Sequence, residues 1–343
     1  MSSPTLADLP PPPPGKTGWP WTVETPPLPD TQPDRAPWPR ISIVTPSYNQ
    51  GRFIEETIRS VLLQGYPNLE YIIIDGGSTD ESVEIIRKYE RHLAYWVSEK
   101  DRGQSHAINK GLSRITGDVW AYMNSDDAYC PGTFAKVIEA FADATVEWVT
   151  GVGRYVDVDG KAVRDIVPTS DWSPPDVLRN LLYAPIIVAM QVSNFMRSTI
   201  LERYGQFEES LHYCMDVEFG LRFIVDGGRP SIIDDVLAKA RLHPASKTVS
   251  KAPGGAFQDE AAEILRSLLT RASMKPDALR AVRHSLSSHG KLAAVAQARN
   301  AWEARGASVG FAQLGRSLAK DPSLLAYRPA VGLARAMLLG RKI

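Results

Sequence analysis

The segment 41-ISIVTPSYNQGRFIEETIRSVLLQGYPNLEYIIIDGGSTDES-82 alternates between two hydrophobic patterns. Residues 41–45 form a short β-branched run, and residues 51–64 carry apolar side chains at helical spacing. Residues 71–75 form an apolar run that is typical of a strand buried on both faces. A strand, a helix and a second strand in this order predict a parallel pair with a right-handed crossover.

The same alternation continues along the chain and predicts an α/β fold with a mostly parallel, Rossmann-like sheet flanked by helices. Asp159-Gly160 predicts a hairpin turn, and the chain beyond residue 255 shows only helical patterns. The other predicted elements are a helix after Ser78 or Thr79, strands at 94–99, 119–127 and 147–151, and helices at 104–115, 134–141, near 174–182 and at 215–225.

Composition divides the chain into three parts. Residues 1–40 hold 13 of the 26 prolines and predict a largely disordered leader, with Trp19, Trp21 and Trp38 available to pin its end. Residues 41–250 are predicted to be the α/β domain, with halves at about 41–150 and 151–250. Residues 251–343 carry 15 Lys and Arg against 6 Asp and Glu, and predict a basic helical extension.

Charge and cysteine content exclude several classes of protein. The 39 basic and 39 acidic residues give a net charge of zero, so we expect no nucleic-acid partner. Cys130 and Cys214 show no zinc or disulfide spacing, which favours a reducing, cytoplasmic location. No apolar run reaches roughly 18 residues, and the first residues lack the pattern of a signal peptide.

Acidic and small polar residues follow each of the first four predicted strands, at residues 45–51, 75–82, 98–104 and 124–129. Because ligands bind beyond the carboxyl ends of parallel strands, we expect these segments to form one site. Carboxylates bind Mg²⁺ or Mn²⁺, which in turn binds substrate phosphates, and Asp126 and Asp127 are the best candidate ligands. The glycine patterns of dinucleotide-binding and phosphate-loop proteins are absent.

Residues 41–141 resemble the family 2 glycosyltransferases, the inverting class with the GT-A fold. The resemblance rests on the segment quoted above, on 98-SEKDRGQSHAINKGLSRITGDV-119 and on 124-NSDD-127, and it returns at 207-FEESLHYCMDVEFGLRF-223. It implies a nucleoside-diphosphate sugar donor, with UDP the most common choice, and a glycan or lipid-linked acceptor. The donor-binding residues that it implies are Pro46, Ser47, Tyr48, Asp75, Asp101, Arg102, Gln104 and Asp126.

The resemblance also implies a divalent metal, Mn²⁺ or Mg²⁺, and a catalytic base. Ser125-Asp126-Asp127 matches the metal motif of the family, with Asp127 expected on the metal and Asp126 nearer the ribose. Asp216 matches the base, which must take the proton of the acceptor hydroxyl. His243 is a further candidate metal ligand. Gly220 departs from relatives, which often carry a bulky residue there.

We therefore expect metal-dependent, inverting sugar transfer in the synthesis of polysaccharide, glycolipid or another cell-surface glycan. One alternative is a sugar-1-phosphate nucleotidylyltransferase, and another is an inactive module that binds nucleotide sugars. The final predicted helix carries Arg328, Arg335 and Lys342 every seven residues, with Leu333 and Met337 roughly opposite. This pattern predicts peripheral contact with an anionic membrane through the basic helices.

Overall fold

The computed structural model describes residues 3–174, 177–178, 190–247, 249, 256–270 and 274–339. The chain divides into two compact units. The first unit contains Met1–Ser173 and Ile186–Lys251, and the second contains Pro174–Pro185 and Ala252–Ile343. The helix predicted near 174–182 falls within the bounds of the second unit, and only residues 174, 177 and 178 of it are described.

The first half of the sheet is parallel, as the alternating pattern predicts, with strand order β3-β2-β1-β4. Its register places Ser47 opposite Asp75, and Asp75 opposite Ser98. The carboxyl ends of three strands therefore meet at one edge of the sheet. The elements are β1 (Ile41–Ser47), α1 (Gly51–Leu62), β2 (Leu69–Asp75), α2 (Ser82–Lys88), β3 (Tyr95–Ser98), α3 (Gln104–Leu112) and β4 (Val119–Tyr122).

The second half of the sheet is mixed rather than parallel. Its elements are β5 (Ala128–Tyr129), α4 (Thr133–Ala140), β6 (Trp148–Val156), β7 (Ala162–Ile166), β8 (Phe195–Arg197), α5 (Ser198–Tyr204), α6 (Met215–Val225) and β9 (Ser231–Arg241). The predicted hairpin is confirmed as β6 and β7, while β8 runs antiparallel to both β4 and β6. β9 pairs with β5, and this pairing brings the chain after Lys239 beside the chain before Ala128.

The leader differs from the disordered segment that its prolines predict. Leu9 and Trp21 are buried, and the Trp19 indole donates to the carbonyl oxygen of Tyr129 at 2.8 Å. The fully buried guanidinium of Arg59 on α1 donates to the carbonyl oxygens of Pro10, Pro20 and Trp21 at 2.8–3.0 Å. Prolines prevent helix and ladder formation, but their carbonyl oxygens remain acceptors, so an irregular segment can be held in one conformation.

The second unit is helical and has a core of its own. Its elements are α7 (Ala256–Leu268), α8 (Pro276–Arg305), α9 (Ala307–Lys320) and α10 (Arg328–Leu339). Leu314, Leu324, Leu333 and Met337 are buried together in that core. Across the described part of the chain, no helix combines the length and the apolar character that a membrane span needs.

Candidate active site

Asp126 and Asp127, the acid pair, lie between β4 and β5. Both carboxylates have partners at the end of β9 or just after it. One oxygen of Asp126 lies 2.9 Å from Nε2 of His243. Asp127 Oδ1 accepts from the backbone N–H of Arg241 at 2.8 Å. Asp127 Oδ2 accepts from the Asn124 amide at 3.1 Å. The structure thus brings together three residues that the sequence proposed as metal ligands.

Asp127 is buried, with 6% of its surface exposed. Burial raises the pKa of its carboxyl well above the usual range, and the neighbouring Asp126 raises it further. The hydrogen bonds from Arg241 and Asn124 and the charge of Arg241 act in the opposite direction. Two adjacent carboxylates in a poorly solvated place favour a cation beside them.

Asp216 lies in the first turn of α6, and its carboxylate accepts from the backbone N–H of Val217 at 2.9 Å. Burial raises the pKa of the Tyr122 phenol, and the negative charges of Asp216 and then Asp127 raise it further. Both carboxylates also raise the pKa of Tyr155, after the larger effect of its burial. Asp216 and Asp127 therefore both disfavour ionisation of the same two phenols.

Asp75 closes β2 and organises the loop that follows it. Its carboxylate accepts from the backbone N–H groups of Gly77 and Ser78 at 3.1 and 2.8 Å, and from the hydroxyls of Ser78 and Ser98 at 2.6 and 2.7 Å. The side chain is fully buried. Its observed partners are therefore the loop and β3, and its role as a base contact stays a prediction.

The segment from Asp101 to Gln104 lies against both the Asp75 loop and the acid pair. A Cβ atom on Gly76 would lie 2.5 Å from an Asp101 carboxylate oxygen, so the absent side chain makes room for Asp101. Gln104 donates to Asn124 at 2.6 Å, and Asn124 donates to Asp127. Arg102 pairs with Glu209 at 2.7 Å and is otherwise well exposed.

Pro46 and Ser47 end β1, Tyr48 begins the loop that follows, and the three residues have different environments. Pro46 and Ser47 are buried, whereas 61% of the Tyr48 surface is exposed. The Ser47 hydroxyl oxygen is buried and has no hydrogen-bond partner among the described residues. Tyr48 is thus the residue of this loop that presents a ring to solvent, where a base can stack.

Sequence reasoning missed Arg241, whose backbone N–H and guanidinium both donate to the acid pair. Its side chain pairs with Glu56 of α1 at 2.9 Å and donates to the carbonyl oxygen of Asp126 at 3.1 Å. Phe53 of α1 packs on both Arg241 and His243, with 5.2 Å from its ring to the guanidinium and 4.8 Å between ring centroids. Only the fold, through the pairing of β5 and β9, shows that these residues are neighbours.

Gly220 has a structural explanation. A Cβ atom at this position of α6 would lie 2.9 Å from the Trp148 ring, so the indole occupies the space that a larger side chain would need. Trp148 also packs on Phe223, with 5.6 Å between ring centroids. The departure from relatives is therefore compensated by a bulky residue from β6.

The donor set of the acid pair fits a divalent cation that shares its shell with a substrate. No group of three or more His, Cys, Asp or Glu side chains within the described ranges forms a ready-made metal cage. Mg²⁺ commonly uses one or two protein carboxylates and takes its other oxygens from phosphates and water. Asp126 and Asp127 supply the two carboxylates of that requirement, and His243 lies against Asp126.

The chain resembles known glycosyltransferases in sequence and in fold. An uncharacterized glycosyltransferase of Mycobacterium tuberculosis is 32% identical over 189 residues, which is 54% of this chain and 68% of that protein. The crystal structure of S. aureus TarS 1–349 in complex with UDP-GlcNAc matches this chain with a TM-score of 0.55 at 18% identity. The match covers 88% of this chain and 92% of that chain.

The mannosyltransferase PcManGT from Pyrobaculum calidifontis, in complex with GDP-Man and Mn²⁺, gives a TM-score of 0.50 at 23% identity over 91% of each chain. Both structural matches share the mixed sheet with flanking helices that is described above. The profile of the family named Glycosyl transferase family 2 matches residues 42–205. By these matches in sequence and in fold, the chain belongs to glycosyltransferase family 2.

Proposed function

We propose that the protein transfers a sugar from a nucleoside diphosphate to an acceptor hydroxyl, with inversion at the anomeric carbon and with a divalent metal. The observation that carries the proposal is that the Asp126–Asp127 pair after β4 lies against His243, with 2.9 Å between Asp126 and Nε2 of His243. The pair would bind the metal, and Asp216 in the first turn of α6 would be the base. A single displacement needs the metal at the diphosphate of the donor and the base at the hydroxyl of the acceptor.

Asp126, Asp127 and His243 would hold the metal. When bound, the metal neutralises charge on the departing diphosphate. The chain prepares this place by holding Asp127 between the Arg241 backbone N–H and the Asn124 amide. His243, which is 7% exposed, is held against Asp126 by the Phe53 ring.

Asp216 would accept the proton of the attacking hydroxyl. One direct attack on the anomeric carbon, with no covalent enzyme intermediate, gives inversion.

The strand-end loops would bind the donor. Tyr48 would stack on the base, and Asp75 would place the loop that faces it. The other proposed donor contacts are Pro46, Ser47, Asp101, Arg102, Gln104 and Asp126. Proteins of this fold have been observed with UDP-GlcNAc and with GDP-Man, and we propose UDP-sugars as the first donors to test.

The sequence disfavours both alternative functions. A sugar-1-phosphate nucleotidylyltransferase would need a glycine-rich, basic loop after β1, and residues 45–51 contain one glycine and no Lys or Arg. An inactive binding module would be favoured by loss of an acid or the base, but Asp126, Asp127 and Asp216 are all present. Active transfer is therefore the better proposal.

Release of free nucleoside diphosphate tests the proposal. We expect release from one sugar nucleotide of a UDP- and GDP-sugar panel, and we expect chelation by EDTA to abolish it and Mn²⁺ to restore it. Thermal shift selects the donor first, because a ligand at about 100 times its Kd adds about 2.7 kcal/mol of stability. Pyrophosphate release would instead indicate the nucleotidylyltransferase, and binding without turnover on any offered acceptor would indicate the inactive module.

We further propose a cytoplasmic enzyme of cell-surface glycan synthesis that contacts an anionic membrane through α10. The face proposed from sequence is wrong: Leu333 and Met337 are buried in the core of the helical unit, and Lys342 lies outside the described residues. The exposed face of α10 carries Arg328, Val331, Arg335 and Leu338 at spacings of three and four. Leu338 is 75% exposed, and the nearby Leu325 is 71% exposed.

Cationic and apolar side chains on one exposed face match an anionic lipid surface, and residues 322–343 contain no Asp or Glu. We expect the full chain to co-sediment with vesicles of phosphatidylcholine and phosphatidylglycerol at low salt. Leu338→Ser/Leu339→Ser should lose this binding, whereas Val163→Ser/Val167→Ser, on exposed valines of the first unit, should keep it. Equal binding by both variants, or none by the wild type, contradicts the proposal, as does self-association through this face.

A further inference from the structure

The face of α1 that turns toward the acid pair consists of Phe53, Glu56 and Thr57. Glu56 and Thr57 follow Phe53 by three and four residues, so all three lie on one side of the helix. Each contacts the metal motif or its partners: Thr57 donates to the Asp127 carbonyl oxygen at 2.6 Å, Glu56 pairs with Arg241, and Phe53 packs on His243. α1 directly follows the loop at residues 48–50 that ends β1, so the helix joins the proposed donor loop to the acid pair.

Arg241 is the centre of this arrangement. Its side chain is 4% exposed, and the Glu56 side chain is 19% exposed. Besides the bond to the Asp126 carbonyl oxygen, it donates to the carbonyl oxygens of Asp157 and Val158 at 3.4 and 3.2 Å, in the turn between β6 and β7. One guanidinium therefore ties α1, the acid pair and the hairpin turn together.

We propose that Arg241 and Glu56 are positioning residues for the Asp126–Asp127 pair. Glu56 fixes the guanidinium, the guanidinium fixes the main chain at Asp126, and the main chain sets where both carboxylates point. The backbone N–H of the same Arg241 holds the Asp127 carboxylate, so a shift of this residue moves both contacts together. The cation also offsets the negative charge of two adjacent acids. The proposal rests on the proposed metal-dependent function and assigns the residues that prepare its site.

The chemistry of the pair distinguishes positioning from simple stabilisation. Removing one member of a buried ion pair leaves an uncompensated charge, whereas replacing both by apolar residues of similar size often restores stability. The double replacement Glu56→Leu/Arg241→Met removes the bond to the Asp126 carbonyl oxygen without leaving a buried charge. A purely structural pair would be repaired by this change, but a positioning pair would not.

The experiment compares wild type, Glu56→Gln, Arg241→Met and Glu56→Leu/Arg241→Met. The control is Glu147→Gln/Arg203→Met, which removes an ion pair between α5 and the residue before β6. Binding of Mn²⁺ alone is measured by the EPR signal of the free ion, and folding by thermal melting. We expect all three site variants to bind Mn²⁺ about 10–100-fold more weakly, as is typical when the supporting partners of metal ligands are removed. The apolar double variant should melt near the wild type, and the control should bind Mn²⁺ normally.

Hydrogen exchange of the amide at position 241 provides a readout that needs no metal. This N–H donates to Asp127, so we expect it to lose protection in Glu56→Gln but not in the control. Wild-type Mn²⁺ affinity in the apolar double variant would overturn the proposal, and so would unchanged protection in Glu56→Gln. If the wild type binds no Mn²⁺ while protection still falls, positioning stands and the metal-dependent step of the proposed function fails.

Discussion

Replacing Asp216 by asparagine is expected to reduce the rate of sugar transfer by ~10²–10⁴, the usual cost of losing a general base. Asparagine keeps the size of the side chain but cannot take a proton from the acceptor hydroxyl. Donor affinity should stay nearly unchanged, because the proposed donor contacts lie on the strand-end loops and not on α6. Initial rates at saturating donor and metal measure the first effect, and donor titration by thermal shift measures the second.

The matched control is Asp226→Asn, at the other end of the same helix. It makes the same chemical change to an acid that follows the last turn, so it should leave turnover intact. Residual turnover above about a tenth of the wild type in Asp216→Asn would contradict the assignment of the base. A parallel loss of donor affinity would indicate instead that Asp216 supports the donor site.

Asp127→Asn is expected to have a comparably large effect, but through the metal. An amide oxygen is a weaker ligand than a carboxylate, while it can still accept from the Arg241 backbone N–H. Polarisation by a metal contributes several kcal/mol to the transition state, so activity at limiting Mn²⁺ should fall by at least about a hundredfold. A titration of activity against Mn²⁺ should show a much higher half-saturating concentration.

Asp75→Ala provides the comparison. This change removes the acceptor for four hydrogen bonds within the loop and to β3, so the donor should bind more weakly while the Mn²⁺ requirement changes little. If donor affinity and the Mn²⁺ requirement changed in the same way in Asp75→Ala and Asp127→Asn, the two acids would not have separate roles. An unchanged Mn²⁺ requirement in Asp127→Asn would contradict its place as a metal ligand.

The fold of the first half could be predicted from sequence because its signals are local. The apolar run at residues 71–75 and the helical spacing at 51–64 each identify an element without reference to the rest of the chain. The second half could not be predicted as well, because β8 has three residues and β5 has two. Such short strands are defined by their neighbours in the sheet and not by their own composition.

The candidate site also combines residues with local sequence signals and residues whose contacts are long-range. Asp75, Asp126 and Asp127 follow strands whose ends are visible in the sequence, so their neighbourhood could be predicted. Arg241 and Glu56 are separated by most of the domain in sequence and give no motif. Their contact depends on the pairing of β9 with β5 and on the packing of α1, which are both long-range.

The buried Arg59 has a consequence for where this catalytic domain begins. The family profile begins at residue 42, yet three of the four oxygen atoms that accept from the guanidinium belong to Pro10, Pro20 and Trp21, and the fourth is the Tyr89 hydroxyl. A domain boundary taken from homology alone would therefore cut away the electrostatic partners of a residue on α1 and leave a charge in the core. For this chain, the contacts of the buried Arg59 guanidinium extend upstream of the family match as far as Pro10, whose carbonyl oxygen accepts from it.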